Sequence, residues 1–404
     1  MKKIVTLSLL TSSIVLAGGY KIPEQSLNSM ALGAAYVAHT DGADTAYYNP
    51  ANMAFMKDKQ FMEVGITLAH LPRNEFSGEL ATTSGKSEIE NLYIPNLHYV
   101  ANRMGDWRWG TSITAPGGLT KRWNTPVQKA FAEEFTLKIL EFNPVVSYKV
   151  SDNFAIGGGL RFIYSEGVVK NDGTLIGSAG RREMEGNTAA FGYNLAMSYK
   201  PQDDVTMAVT YRSNVNLKEE GEANLFVSNL GIQRTADVSV PLPAALNLAF
   251  SHNITDRYTF EINYERTYWS TYKTLDFNYG TPLRTALVSA FDNPKIRAWE
   301  DTDTVRLGLT GKVTDSITLM AGIAKDETPV PSEYIGYELP DSDATVYSIG
   351  LRIQATDNLS FGMAYLHDEK ENRTIHQGTS ESQVNGTFSG GGADLLTVAV
   401  GYTF

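Results

Sequence analysis

Arginines on strand-like segments are the residues of this sequence best suited to hold an anionic ligand. Five of them fall on the small and polar face of an alternating segment: Arg108, Arg161, Arg212, Arg306 and Arg352. A guanidinium binds a carboxylate through paired, charge-assisted hydrogen bonds. Arg161 is our first candidate ligand-binding residue, because Gly157 and Gly159 precede it on the same face and leave space. Arg306 is the second candidate, followed by Arg212.

The same arginines have a purely structural alternative. Acidic residues lie on the same faces, among them Glu63, Glu261 and Glu265. Arginines inside a protein usually pair with such acids. The sequence alone leaves both roles open.

Other residue types give no sign of catalysis. The six histidines, at positions 39, 70, 98, 252, 367 and 376, form no pair with metal-ligand spacing, and no Gly-x-Ser-x-Gly motif occurs. The chain has no cysteine, which excludes disulfides and thiolate metal sites. We therefore predict no catalytic residues, no metal and no cofactor. An outer-membrane enzyme such as a lipase remains the competing class.

The segments that carry these arginines have the two-residue period of β-strands. In the last of them, Leu396, Val398 and Val400 fall on one face, with Thr397 and Ala399 on the other. Each segment is long enough for a tilted transmembrane strand. Fourteen are predicted, at 59–71, 91–103, 106–115, 139–150, 153–169, 185–200, 204–217, 235–253, 257–275, 302–313, 317–327, 344–355, 358–370 and 394–404.

The connections decide between a membrane barrel and a soluble sandwich, which share this period. Tight turns such as Met104-Gly105 and 150–153 alternate with long connections such as 116–138 and 276–301. Outer-membrane barrels sort their loops in this way, whereas a sandwich has no reason to. A closed barrel also leaves no unpaired backbone in lipid. We predict an all-β transmembrane protein, a 14-stranded antiparallel outer-membrane barrel spanning residues 56–404.

Two of the long connections have recognisable content. Thr125 followed by Pro126 and by Gln128 predicts the start of a short helix. The connection at 218–234 carries apolar residues that include Phe226, which either pack within the loop or form a landing surface for an apolar ligand.

The N-terminal part of the chain is different in kind. Residues 1–17 have Lys2 and Lys3 before an apolar stretch too short to span a bilayer, which predicts a signal peptide cut after Ala17. Residues 18–55 are rich in glycine and alanine and favour short helical turns. They cannot bury enough surface alone, so they are either a disordered tail or a plug inside the barrel.

Composition excludes two further classes. After the signal peptide no run of about 20 apolar residues occurs, so a helical membrane protein is excluded. The net charge of -11 argues against nucleic-acid binding. A general porin for hydrophilic solutes would need an open lumen, which a plug opposes.

Several motifs resemble the outer-membrane long-chain fatty acid transporters of the FadL type, a family that includes importers of aromatic hydrocarbons. The resemblance covers the mature chain and rests on Gly18-Gly19-Tyr20, Leu32-Gly33-Ala34-Ala35-Tyr36, Tyr48-Asn49-Pro50-Ala51, Ala208-Val209-Thr210-Tyr211-Arg212-Ser213, and the stretch from Gly322-Ile323-Ala324 to Pro340-Asp341.

The resemblance implies a monomeric barrel plugged by an N-terminal hatch, residues 18–55, with a kink in the third strand that opens a hole in the wall. It implies passive uptake of a long-chain fatty acid, or of an aromatic or aliphatic hydrocarbon, with exit into the outer-membrane lipid. By position, Tyr20 contacts the ligand, and Asn49, Pro50 and Ala51 form a gate near the kink.

Ala115-Pro116-Gly117-Gly118 is the expected kink. A proline removes a hydrogen-bond donor from a strand, so Pro116 marks a defect independently of the family, or else simply begins the next loop. Two departures from the family stand out: a short third outer loop at 170–184, and no evident basic residue before the tenth strand, where Glu300-Asp301 lies and Arg306 is the nearest substitute.

Overall fold

The computed structural model describes residues 18–177, 180–227, 230–376 and 384–404. Residues 1–17, to which the sequence analysis assigns a signal peptide, lie outside the described residues. Among the described residues no helix is both long and apolar enough to cross a membrane.

Fourteen antiparallel strands form one closed ring. They are β1 Phe61–Leu71, β2 Glu90–Val100, β3 Trp107–Thr114, β4 Glu134–Lys149, β5 Phe154–Asp172, β6 Gly180–Gln202, β7 Val205–Arg212, β8 Ala245–Thr255, β9 Tyr258–Thr267, β10 Thr302–Lys312, β11 Ile317–Asp326, β12 Ala344–Gln354, β13 Leu359–Lys370 and β14 Ala393–Thr403. Each pairs with its neighbour in sequence, and β14 pairs with β1 from Phe61 opposite Thr403 to His70 opposite Asp394. Every strand pairs with both of its neighbours, so the ring is closed, and the predicted fold class is confirmed.

The alternation along the strands separates the two surfaces of the barrel. In β14, Leu396, Val398 and Val400 are exposed, whereas Leu395 and Thr397 are fully buried. Exposed apolar side chains on the outside of a closed barrel face lipid. The residues that the two-residue period places on the apolar face are therefore the residues observed on the outer surface.

The outer end of the barrel contains more strand than the sequence indicated. The stretch 218–234, predicted as a loop, belongs to a hairpin of Val215–Val227 and Leu230–Leu242, here called the outer hairpin. It pairs with the extended end of β6, with Glu220 opposite Asn187. The predicted strands 204–217 and 235–253 are thus each broken in two, near Asn214 and Pro243. Both breaks allow the hairpin to turn away from the barrel wall.

Other predicted boundaries also shift. The predicted strand 257–275 ends at Thr267 and is followed by a 3₁₀ turn, Trp269–Thr271. The connection predicted at 170–184 is shorter still, because β5 continues to Asp172 and β6 begins at Gly180. The helix predicted after Thr125 is present as Pro126–Ala132, with proline in its first turn.

The remaining elements lie in the outer connections. One further helix spans Thr285–Phe291, and short 3₁₀ turns span Ala81–Thr83, Thr174–Ile176 and Ser332–Tyr334. Two short strands, Gly118–Arg122 and Phe277–Tyr279, add to the main sheet. Two small separate sheets contain the others: Asn74–Gly78, Gly85–Lys86, Arg373–Ile375 and Gly386–Gly390 in one, and Thr274–Leu275 and Lys295–Ile296 in the second.

Residues 18–55, here called the hatch, lie inside the ring. They form helices Leu27–Ala31 and Thr45–Tyr48 and a 3₁₀ helix Pro50–Phe55. The first helix packs on β11 to β14, the second on β2 to β4, and the 3₁₀ helix on β3 to β6. Nearly every hatch side chain is buried. The segment therefore packs against the inner wall on opposite sides of the barrel.

Candidate functional site

Two adjoining cavities lie at the N-terminal end of the hatch. The upper cavity, toward the long connections, is narrow in this structure, with a volume of about 40 Å³. Its wall is mainly apolar, with Leu119, Val240 and Leu339 among the lining residues. Tyr20 lines the upper cavity, and the next residue, Lys21, lines the lower one. The start of the hatch is therefore the partition between them.

An aromatic cluster fixes Tyr20. Its ring centre lies 4.8 Å from that of Trp269 and 5.6 Å from that of Trp299. Tyr272 lies 4.9 Å from Trp299, so the rings form one contiguous group. The Tyr20 hydroxyl donates a hydrogen bond to the carbonyl of Pro241. Edge-to-face contacts of this kind add to the stability that burial supplies, and burial also raises the pKa of Tyr20, which keeps the hydroxyl a donor.

Charged side chains line the upper cavity at two places. Arg297 forms an ion pair with Glu338, which also lines the cavity, while the Arg297 Nε has no hydrogen-bond partner among the described residues. Glu219, on the outer hairpin, lines the cavity too, and in the described part of the chain neither of its carboxylate oxygens has a hydrogen-bond partner. An apolar cavity with an unused Arg297 donor and an unpaired carboxylate can orient an amphipathic ligand.

Arg161 and Arg212 line the lower cavity but share one carboxylate. Glu141 lies 2.8 Å from Arg161 Nη2, and its other oxygen accepts from Arg212. Arg161 also donates to the carbonyl of Ser213 at 2.7 Å, and Arg212 to the carbonyl of Tyr47 at 3.2 Å. Both arginines therefore already hold inner-wall or hatch groups.

The space expected beside Arg161 is filled. A side chain at Gly157 would meet the backbone nitrogen of Ala51 at 2.6 Å, and one at Gly159 would meet the carbonyl of Pro144 at 2.1 Å. These glycines admit the hatch and the neighbouring strand. The reason for which Arg161 ranked first is thus wrong.

Arg306 is the more available of the two first candidates. Its Nη2 donates to Glu265 at 3.0 Å, and Lys21 bonds the same carboxylate at 2.5 Å. Its Nη1 is buried without a partner. The unused N–H groups leave capacity for a further acceptor in the lower cavity.

The third strand breaks beside these cavities. β3 ends at Thr114, and the strand resumes as Gly118–Arg122, which pairs only with β4. β2 pairs with β3 only between Leu97–Val100 and Gly110–Ile113. In the described chain, which includes this whole region, the outer half of β2 pairs with β1 alone. We call the unpaired stretch between Glu90–Asn96 and the third strand the lateral gap.

The hatch satisfies the backbone groups that the break leaves free. Ile22 N donates to the carbonyl of Pro116 at 2.9 Å, and Gly118 N donates to the carbonyl of Tyr20 at 2.8 Å. The Gln25 amide bonds both the nitrogen and the carbonyl of Ala115, at 2.8 and 2.9 Å. The hatch N-terminus thus substitutes for the missing strand at the predicted kink. A side chain at Gly117 would lie 2.9 Å from the Tyr20 carbonyl, so only glycine permits this approach.

The Asn49-Pro50-Ala51 turn lies elsewhere. The Asn49 side chain donates to Ser198 on β6 at 2.9 Å and to the carbonyl of Val37 at 2.8 Å. Pro50 and Ala51 cover Gly157 on β5. Residues 20–25, and not the predicted gate residues Asn49, Pro50 and Ala51, bond the kink, because the turn anchors the hatch to β5 and β6.

Phe226 does not line either cavity. It is half-buried on the outer hairpin, and the Arg181 guanidinium lies 4.4 Å from its ring centre. Of the two alternatives for the apolar residues near it, packing fits better, since Leu225 is fully buried.

Sequence reasoning missed four residues of the upper cavity: Glu219, Tyr272, Arg297 and Trp299. Two signals were available. Trp269 and Trp299 are two of only five tryptophans, and they flank one long connection. Glu219 interrupts an apolar series that includes Val215, Leu217 and Leu225 at a two-residue period.

Comparison with known proteins agrees with this geometry. The family whose sequence model matches residues 8–404 is described as outer membrane protein transport protein (OMPP1/FadL/TodX). The long-chain fatty acid transport protein of Escherichia coli K12 is 24% identical, over 93% of this chain and 94% of that protein. A Pseudomonas aeruginosa FadL homologue superposes with a TM-score of 0.82 at 18% identity, over 96% of this chain and 99% of the other. The toluene transporter TodX of Pseudomonas putida gives 0.73 at 15%, over 95% and 98%.

Proposed function

This chain belongs to the outer-membrane transport family described as OMPP1/FadL/TodX, and on that premise we propose that it carries hydrophobic molecules passively into the outer membrane of a Gram-negative bacterium. The molecule binds in the upper cavity, passes Tyr20 into the lower cavity and leaves sideways through the lateral gap. The observation that carries this proposal is the double role of Tyr20. Its ring forms one wall of the apolar cavity, and its carbonyl bonds the broken strand.

The physical chemistry of the cargo favours a sideways exit. Each CH₂ group transferred from an apolar site into water costs about 0.8 kcal/mol. A route that ended in the periplasm would therefore become steeper with every carbon of the chain. A route through the lateral gap ends in lipid, where the tail remains in an apolar medium. The gap lies beside Pro116, a residue of the lower-cavity wall.

Movement of the hatch N-terminus couples the two cavities. Tyr20 separates the two cavities. A ligand can therefore pass only when the hydrogen bonds that join Tyr20 and Ile22 to the third strand break. Those bonds are backbone hydrogen bonds, each worth about 1 kcal/mol net, and a ligand that displaces the ring from the aromatic cluster can break them. The hatch, residues 18–55, then acts as a gate at its N-terminal end while Asn49 holds its far end on β6.

A long-chain fatty acid is the first candidate cargo, as in the E. coli relative, and a hydrocarbon is the alternative, as in the toluene transporter. Two arginines suit a headgroup, Arg297 in the upper cavity and Arg306 in the lower one, because each has an N–H without a partner among the described residues. Arg212, which lines the lower cavity, also has an unpartnered Nε and remains a further candidate there. Arg161 is less suitable, since Glu141 and Ser213 occupy its donors.

The protein acts without a second copy and without a catalytic step. The fourteen strands of one chain complete the ring, so no second copy is needed to close it, which supports a monomer in the membrane lipid. The family consists of transport proteins, so the lipase alternative has no support from it.

Uptake by cells that lack their own carriers tests the proposal. Outer-membrane expression of this chain should raise the uptake of labelled palmitate or toluene several-fold and leave the uptake of a labelled disaccharide unchanged. If the disaccharide enters faster while palmitate and toluene do not, the protein is a general porin and the proposal fails.

A further inference from the structure

Glu219 is a buried acid in an otherwise apolar wall. Its neighbours on the same face of the outer hairpin, Leu217 and Leu225, are fully buried, and Glu219 itself is 1% exposed. Both of its carboxylate oxygens lack a hydrogen-bond partner, although the residue lines the upper cavity. Buried polar groups in native proteins are nearly always satisfied, so a carboxylate with no partner calls for an explanation.

No basic side chain compensates Glu219. The nearest residue on its own strand, Lys218, points outward and pairs with Glu220 at 2.8 Å. Arg297, in the same cavity, pairs with Glu338. Burial raises the pKa of Glu219 to about 7, the nearby Ser165 hydroxyl opposes this shift, and Glu166 adds to it. At pH 8.5 the group therefore carries its charge, and the one donor beside it in the described chain is the Ser165 hydroxyl, a neutral group that cannot balance this charge.

Two glycines allow the outer hairpin to place Glu219 at the cavity wall. Gly167 on β5 pairs with Gly186 on β6, and both glycines line the upper cavity. A side chain at Gly167 would lie 3.3 Å from the Glu219 Cγ atom, and one at Gly186 would lie 3.1 Å from the Glu219 carbonyl carbon. The acid therefore packs directly on the glycines of β5 and β6.

We infer that Glu219 selects the headgroup at this end of the upper cavity, accepting a hydrogen bond from an alkyl chain that ends in a cationic or neutral donor and rejecting a carboxylate. The inference rests on the proposed function, because it concerns the ligand of the same cavity. It also assigns an orientation: a fatty acid binds with its carboxylate toward Arg297 and its tail toward Glu219. A carboxylate beside Glu219 would place two like charges in an apolar site, which is strongly unfavourable.

The test uses three probes with the same twelve-carbon chain: dodecylamine, 1-dodecanol and dodecanoate. Their binding to the purified full-length protein is followed at pH 8.5 through tryptophan fluorescence, since Trp299 lines the cavity. Glu219→Gln keeps the shape of the side chain and removes its charge. Each affinity is compared between variant and wild type in the same detergent, so partition into micelles cancels.

Glu219→Gln should weaken dodecylamine binding about tenfold or more, which is the loss expected for one charge-assisted hydrogen bond. It should change dodecanol binding little, because the amide oxygen still accepts a hydrogen bond, and leave dodecanoate binding equal or tighter. Glu166→Gln is the matched control, since Glu166 is the neighbouring carboxylate but is exposed. It should leave all three affinities unchanged. Glu219→Asp, which keeps the charge, should retain more of the dodecylamine affinity than Glu219→Gln.

Three outcomes overturn the inference. They are an unchanged dodecylamine affinity in Glu219→Gln, an equal loss in Glu166→Gln, and an equal loss for all three probes. In each of these the wild type still binds the twelve-carbon probes, so the proposed function stands. If the wild type binds none of the probes, the proposed function fails with the inference.

Discussion

At the scale of single residues, buried charged side chains of the barrel wall form hydrogen bonds with the hatch, so these side chains are not free to bind a ligand. Arg108 donates to the carbonyls of Met53, Met56 and Lys57 at 3.0–3.2 Å. Glu261 accepts from three successive hatch nitrogens, those of Val37, Ala38 and His39. Leaving one buried hydrogen-bonding group of this kind without its partner typically costs about 1–3 kcal/mol, and more when the group is charged. The arginines that remain for a ligand are those with an unused donor.

Arg297 provides the sharpest test of headgroup binding. Arg297→Gln should weaken palmitate binding roughly tenfold, because one charge-assisted hydrogen bond of about 1.5–3 kcal/mol is lost. Binding of toluene, which has no headgroup, should not change. Titration of both ligands on the purified protein measures the difference, and Arg297→Lys, which keeps the charge, should recover part of the palmitate affinity. Equal losses for palmitate and toluene would show that Arg297 supports the cavity wall only.

Glu24 makes the docking of the hatch depend on pH. Burial raises the pKa of Glu24 to about 7, although Arg306 opposes the shift, and one oxygen of Glu24 has no partner. A carboxyl whose pKa is higher when docked is neutral in both states at low pH. Its contribution is therefore complete below its ordinary pKa of 4.5 and is lost as pH rises through about 7.

The prediction is that hydrogen exchange of residues 18–31 becomes faster between pH 5 and pH 8, beyond the intrinsic pH effect on exchange. Glu24→Gln should remove that increase and match the wild type near pH 4. A Glu24→Gln variant whose hatch loses as much protection as the wild type over this range would contradict the assignment.

At the scale of elements, the close approach of the hatch to the break in the third strand depends on one glycine. Gly117→Ala places a methyl group about 2.9 Å from the Tyr20 carbonyl, so the hatch N-terminus must shift. We expect altered tryptophan fluorescence, since Trp269 packs on Tyr20, and several-fold weaker palmitate binding. Gly311→Ala is the control, because its new methyl group meets only the Tyr258 ring, at 3.0 Å. Fluorescence and affinity equal to the wild type in Gly117→Ala would mean that the break does not position Tyr20.

The sequence predicted the barrel well and its outer end poorly, for a physical reason. Apolar and polar residues alternate strictly where one face of a strand contacts lipid and the other face contacts the hatch, as in β14. The number of strands could therefore be predicted from the sequence. The outer hairpin carries Glu219 and Gly221 on its inner face, and this mixture reads as a loop. Its strand structure comes from pairing with β6, which is a long-range contact.

The functional residues also divide into those that the sequence could identify and those that it could not. Tyr20 and Pro116 could be recognised because the first lies in a family motif and the second is a proline in a strand. Arg297 and Trp299 lie two residues apart in one connection, whereas Glu219 comes from the outer hairpin, and the three meet only in the folded cavity. No local pattern brings them together, so sequence alone could not assign them.

At the scale of the whole molecule, the hatch and the barrel form one closed unit. The hatch packs on strands at opposite sides of the ring, and the ring itself closes through fourteen pairings. Deletion of residues 18–55 should leave a folded barrel that conducts ions in a planar bilayer, because the inner wall is polar. A truncated barrel as tight to ions as the full chain would contradict the role of the hatch as a plug.

The central claim is that the cargo leaves through the lateral gap, and palmitate uptake after closure of that gap tests it most directly. Replacing residues 115–118 with Thr-Val-Thr-Val extends β3 so that its new residues can pair with the free half of β2. Uptake is measured in cells with equal amounts of inserted protein, and palmitate binding is measured on the same variant in detergent. The account predicts a fall in uptake of roughly tenfold or more, with palmitate binding weakened no further than the several-fold loss expected for Gly117→Ala. Undiminished uptake by a correctly inserted variant would contradict it and would place the exit past the hatch.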